Sequence, residues 1–123
     1  LETETALEAF TRLGCDFSLS TGEQDLDAFL KKFLQPAMAM EIIGDHAAGK
    51  TMFCYTLVAE TLYRRKGHVY WLDSNNTFRG STLMQVYEKR TGRSAAADGI
   101  LERVIVKVVF SAQELLVTID NIL

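Results

Sequence analysis

Paired cysteines, a cationic excess and long apolar runs are what this sequence lacks. Cys15 and Cys54 are the only cysteines, and they match no ligand spacing such as C-x-x-C. Neither a zinc site nor a redox pair is indicated, and the chain reads as a reduced, intracellular protein. No apolar run approaches the roughly 18 residues of a membrane span, and no basic-then-apolar leader opens the chain, which argues against spanning and against secretion. Thirteen Lys and Arg stand against 16 Asp and Glu, a formal net charge of -3. That balance gives no global basic footprint of a protein built on phosphate-backbone contacts. Two local clusters, Arg64-Arg65-Lys66 and Lys89-Arg90 with Arg93, could touch phosphates. They read first as cations at helix C-termini, where the macrodipole favours them. There is no internal repeat and no low-complexity tract.

What is present suffices for one compact domain: 123 residues, 48% of them hydrophobic, can bury a real core but not two. The chain starts at Leu1 rather than at a methionine, and is read as a trimmed piece of something longer. In its first stretch, Ala6, Leu7, Phe10 and Leu13 fall at helical spacing before Gly14, a C-terminal cap signal. We take 1–17 as an N-terminal linker or short helix. Thr21 followed by Gln24 is a capping box. It predicts a helix with Leu26, Phe29, Leu30 and Phe33 on one face, ended by Pro36. "AMAMEII" over 37–43 reads as a strand buried on both faces.

From Lys50 to Arg64 the apolar positions Phe53, Leu57 and Leu62, with Thr56 and Ala59, predict a helix that stops at Gly67. "HVYWLD" reads as a strand ending in Asp73, "NNTFRGS" as its turn, and Ser81 as the start of a helix carrying Leu83, Met84, Val86 and Tyr87. "TGRSAAADG" is a small-residue loop. "VIVKVVF" is a third strand with Lys107 its lone charge, and Ser111 with Glu114 opens a last helix through a second capping box. The alternation of strand and helix is the βαβ rhythm of an α/β fold with a parallel sheet.

"GDHAAGKT", Gly44 to Thr51, meets every fixed position of G-x-x-x-x-G-K-[ST], between an apolar run and a helix. Gly44 and Gly49 permit the tight path. The N–H groups of Asp45, His46, Ala47, Ala48 and Gly49 would cradle phosphates at the positive end of a helix. Lys50 would reach the outer phosphates, and the Thr51 hydroxyl would bind Mg²⁺. A second carboxylate for such a site could be Asp73 or Asp120, each ending an apolar run. The box at Ser111 and the spacing of Leu115, Leu116, Ile119 and Leu123 put Asp120 on a helix instead.

"STGEQDLDAFL", "GDHAAGKT" and "VYWLDSNNTFRGSTL", in this order, resemble the RecA-like recombinases of the eukaryotic strand-exchange type. The combination T-G-x-x-x-L-D (Thr21, Gly22, Leu26, Asp27) before the loop and D-x-x-x-T-F-R (Asp73, Thr77, Phe78, Arg79) after it carries the specificity. The resemblance implies a RecA-like P-loop NTPase core, a mainly parallel sheet flanked by helices, with 18–123 its N-terminal part, truncated after the third βα unit. It implies ATP and Mg as cofactors, a nuclear location and a role in homologous recombination.

Two departures qualify the resemblance. Active members read Asp-Thr-Glu-Gly-Thr-Phe where this chain reads "DSNNTF", so Asn75 stands in place of the water-polarising glutamate and cannot accept a proton. A hydroxyl residue, Thr82, stands near where an adenine-packing arginine is usual. The strand bearing the metal-site Asp and the DNA-binding loops would follow Leu123. These departures point to the recombinase paralogues, ATP-binding accessory subunits that are at most weak DNA-dependent ATPases. Their partners would be other paralogues or the recombinase itself, with Val104 to Val109 as the edge strand that receives a partner's strand. DNA contact by this segment is possible. Two alternatives remain: a small P-loop kinase, with Asp73 as base or metal ligand, and a structural module with a relic nucleotide loop.

Overall fold

The computed structural model describes residues 3–13, 19–36 and 38–122. Gly14, Cys15, Ala37 and Leu123, and the side chains of Phe10 and Leu13, on which parts of the sequence reading rest, lie outside the described residues. The chain divides into two compact units, Leu1–Lys50 and Thr51–Leu123.

In the first unit, α1 (Ala6–Leu13) starts with a capping box between Thr5 and Glu8 that is not among the expected ones. Thr5 Oγ1 accepts from the Glu8 N–H at 3.1 Å, and Glu8 Oε2 accepts from the Thr5 N–H at 2.9 Å. This reciprocal pairing satisfies backbone donors that the first helical turn leaves free. The box expected between Thr21 and Gln24 does not form. Glu23 is the N-cap of α2 (Gln24–Leu30), with no side-chain cap. Thr21 turns to Asp27 instead: its hydroxyl donates to Asp27 Oδ1 at 2.6 Å and its N–H to the same oxygen at 2.7 Å. Ser20 donates to Asp27 Oδ2 at 2.5 Å. A carboxylate is a stronger acceptor than an amide, and Gly22 at φ 86 gives the bend that brings it within reach.

The same unit corrects two further expectations. Helix α2 ends at Leu30, because the Leu30 carbonyl accepts from both Phe33 (2.8 Å) and Leu34 (3.2 Å) and closes the chain into a turn before Pro36. Its apolar stripe is not buried: Phe29 is 82% exposed, while Leu34, beyond the helix, is buried. No strand forms over 38–43, where Ile43 is 83% exposed. A strand buried on both faces needs neighbours at its edges and on its faces, and the described residues supply none to this segment.

The second unit holds a parallel βαβ arrangement. Strand β1 (Val69–Asp73) pairs in parallel with β2 (Val104–Val108), in register from Val69↔Val104 to Asp73↔Val108. The Val109 N–H extends the ladder to the Asp73 carbonyl at 3.0 Å. The crossover consists of α4 (Gly80–Thr91), α5 (Ala95–Asp98) and a 3₁₀ turn at Ile100–Arg103. Helix α5 lies in what reads as a plain loop, because Ser94 caps it, accepting from the Ala97 N–H at 3.2 Å. Before it, Gly92 takes φ 70 to end α4, a conformation that favours glycine.

Helix α3 (Lys50–Arg64) buries Tyr55, Val58, Ala59 and Leu62, which follow the i, i+3, i+4, i+7 rule. The helix forms over the expected residues, but its buried face is rotated from Phe53 and Leu57, which are only half-buried. Leu83 and Tyr87 of α4, Ala95 and Ile100 complete the core, with Val69, Trp71 and Phe78 packed against it. Tyr55 sets the phase: its ring stacks on Trp71 at 4.8 Å and meets Phe78 at 5.8 Å.

Charged groups fasten the helices. The buried Glu60 carboxylate accepts from Arg64 at 2.9 Å and from Arg90 of α4 at 3.0 Å. Arg103 crosses to the C-terminal end of α3, donating to the carbonyls of Leu62 (2.8 Å), Gly67 (2.9 Å) and Arg65. A cation at that end also answers the helix dipole. Helix α6 (Ala112–Ile122) starts as its spacing predicts, with Ser111 Oγ accepting from the Glu114 N–H at 3.1 Å. Asp120 lies on this helix.

Candidate nucleotide-phosphate site

The loop from Gly44 to Lys50 turns tightly. The Ala48 N–H donates to the Asp45 carbonyl at 3.1 Å. Ala47 at φ 63 and Gly49 at φ 101 both lie in the left-handed region. A non-glycine residue held there costs on the order of 1–3 kcal/mol and clusters at ligand-binding turns. A Cβ on Gly44 would meet the Ala48 Cβ at 3.4 Å and the Lys50 Cδ at 3.7 Å, ordinary van der Waals contacts, so packing within the loop does not by itself demand glycine there. The Lys50 ammonium folds back on the loop, donating to the Gly44 carbonyl and, at 3.3 Å, to the Asp45 carbonyl. Asp45, His46, Ala47, Ala48 and Gly49 are exposed, as is Thr51, the second residue of α3. The loop runs in sequence into α3, and a helix's first N–H groups, which have no intrahelical acceptor, are the kind of donor that meets an anion's oxygens. The residues present fit a phosphate group.

Asp73 and Asn75 form a second local group at the C-terminal end of β1. The Asp73 side chain is buried, and both its oxygens are engaged: Oδ2 accepts from the Phe78 N–H at 2.8 Å and Oδ1 from the Asn75 N–H at 3.2 Å. The Phe78 N–H, more than those of Asn75, Thr77 and Asn76, holds its carboxyl below the ordinary carboxylate range despite burial, which opposes it. A carboxylate held ionised by backbone donors is a weak general base and a strong organiser of the loop around it. Within that loop Asn76 takes φ 52, and Asn75 is exposed.

Tyr55 fixes the far end of the same loop, a role the spacing of apolar residues did not reveal. Its hydroxyl oxygen accepts from the Arg79 N–H at 2.9 Å, at the residue that caps α4 without a side-chain bond of its own. The available signal was its place one helical turn after Thr51, on the same face. Arg79 itself is turned inward on the loop, donating to the carbonyls of Phe78 (2.8 Å) and Asn76 (3.3 Å). Cys54, next to Tyr55, is a free thiol that burial pushes up, away from thiolate reactivity.

A glycine loop leading into a helix, followed by a parallel βαβ unit with a carboxylate at the end of its first strand, defines an α/β protein of the P-loop class. Within that class, the family model for Rad51 matches residues 16–121, and the chain belongs to the Rad51 family, with the RecA-like fold. "DNA repair protein RAD51 homolog 4" of Bos taurus is 29% identical over 104 residues, 85% of this chain and 32% of that protein. The protein of the same name from Mus musculus is 31% identical over 86 residues, 70% of this chain and 26% of its own length. "DNA repair protein RAD51" of Mycosarcoma maydis is 30% identical over 90 residues, covering 69% and 26%. The chain thus spans a third or less of the length of these relatives.

Proposed function

We propose that this chain is the nucleotide-holding part of a recombinase paralogue, an accessory subunit of homologous recombination and double-strand-break repair that hydrolyses ATP weakly or not at all. The observation that carries the reading is the Gly44–Thr51 loop, strained at Ala47 with its lysine folded onto loop carbonyls. The relatives, named as DNA repair proteins, supply the biological setting. In this reading 18–123 is the N-terminal part of the ATPase core and 1–17 a linker.

ATP with Mg²⁺ would supply a transferable phosphoryl group, and this chain's residues would hold and orient it. The N–H groups from Asp45 to Gly49 would meet phosphate oxygens. Lys50 would exchange its carbonyl acceptors for them, and the Thr51 hydroxyl would hold the metal. Asp73, its oxygens committed to backbone N–H groups, would keep the 74–78 loop in shape rather than take a proton. Asn75 could donate to or accept from a water but could not deprotonate it. The chain would therefore act by nucleotide-stabilised assembly with other recombinase paralogues or the recombinase, through the β2 edge. Ile105 and Val106 are exposed on β2, and no strand pairs with its outer edge among the described residues. A nuclear location accompanies this role, and no helix among the described residues is long and apolar enough to cross a membrane.

Turnover separates a holder from a hydrolase or a kinase. Wild type is expected to release phosphate from ATP at background rate. Asn75→Glu is expected to raise that rate at least about tenfold, part of the roughly 10²–10⁴ that general-base assistance contributes. Robust turnover by wild type, unchanged in Asn75→Glu, would refute the reading, and transfer to an added acceptor would favour a kinase.

A further inference from the structure

In the second unit Arg93, from one of the two basic clusters, comes together with the other cluster, Arg64-Arg65-Lys66. A cavity of about 530 Å³ is lined by Arg64, Arg65 and Lys66 at and just after the end of α3, by Arg93 and Arg103, and, among the described residues, by a single carboxylate, Asp98. Five cations on one cavity are unexpected in a chain whose net charge is -3. The negative features nearby are already neutralised. Asp98 is gripped by Arg93 through two hydrogen bonds of 2.7 and 2.9 Å and accepts from the Tyr87 hydroxyl at 2.5 Å. These contacts, those of Arg93 foremost, hold its carboxyl down to about 2. The α3 carbonyls, whose partial charge would repel an anion, are covered by Arg103. Arg64 donates to the Glu60 carboxylate, which also accepts from Arg90.

From this arrangement we infer that the cavity is a second anion site, built for a ligand carrying adjacent phosphate groups. It lies at the opposite end of α3 from Lys50. A helix of 15 residues rises roughly 20 Å at about 1.5 Å per residue, so one phosphate group cannot serve both places. Arg64 and Arg93 keep more than half of their side-chain surface in solvent, and Lys66 is exposed. A half-exposed Tyr63 on the cavity wall adds a face on which a base could stack. The shared chemistry is the phosphate run of a single-stranded nucleic acid or of free polyphosphate. The inference does not depend on whether the Gly44–Thr51 loop holds a nucleotide.

The test uses the protein carrying Lys50→Ala, so that the glycine loop lacks its cation. Tripolyphosphate binding is measured by calorimetry and labelled oligothymidylate by fluorescence anisotropy, each across a salt series. Lys66→Glu, on an exposed side chain, is expected to weaken whichever ligand binds by about tenfold and to lower the salt slope by about one per phosphate contact removed. Arg64→Gln, which can still donate to Glu60, is expected to act in the same direction. Tyr63→Ala weakens the oligothymidylate alone if the ligand is nucleic acid, while binding of tripolyphosphate alone identifies free polyphosphate. If neither probe binds, or if both substitutions leave affinity and salt slope unchanged in proteins of unaltered melting temperature, the cavity is not an anion site.

Discussion

Replacing Asp73 by alanine is expected to lower the unfolding free energy by about 3–4 kcal/mol, since hydrogen bonds to a charged group are worth roughly 1.5–3 kcal/mol each and their donors would be left unpaired. The carboxylate is buried at the end of β1 and accepts from Phe78 and Asn75, so the whole 74–78 loop would lose its anchor. The sign of the pH dependence follows. The folded-state pKa of Asp73 is lowered, so its contribution is complete above the ordinary value of about 3.9. It is lost as pH falls from there through the folded-state value. Urea melts at neutral and acidic pH should show a shallower acid limb in Asp73→Ala than in wild type. A loss under about 1 kcal/mol, less than one net hydrogen bond to a charge, with parallel acid limbs, would mean that the loop does not depend on this carboxylate.

Leu83→Ala is expected to cost about 3–5 kcal/mol, the range for a fully buried leucine whose cavity the surroundings fill poorly. Leu83 has no exposed surface and packs in the cluster of Tyr55, Leu62 and Tyr87. Leu116 of α6, 64% exposed, is the comparison: Leu116→Ala should change stability by no more than about 0.5 kcal/mol. Equal effects in denaturant melts would show that the core is not centred on α3 and α4.

These contrasts separate what the chain's local chemistry determines from what its neighbours decide. The Ser111–Glu114 start of α6 was legible because a capping box is complete within four residues, and the glycine loop was legible for the same reason. Thr21 was not, since its N–H donates to a charged acceptor, Asp27, rather than to the nearer Gln24 side chain. The period of α3 was readable but its phase was not, because the stack of Tyr55 on Trp71 is a contact between elements. The segment 37–43 reads as a strand on composition, yet a strand is made by its partners, and none of the described residues pairs with 38–43. At the candidate site, spacing singles out Lys50 and Gly49. The Arg79 N–H held by Tyr55 and the gathering of Arg93 and Arg103 with Arg64, Arg65 and Lys66 around one cavity required the fold.

The central claim, that Gly44–Thr51 is a nucleotide holder, is tested most directly by titrating a fluorescent ATP analogue into wild type and Lys50→Ala. Saturable binding by wild type, weakened at least about a hundredfold in the variant, a loss of about 2.8 kcal/mol, is the predicted result. Equal signals from the two proteins would contradict it.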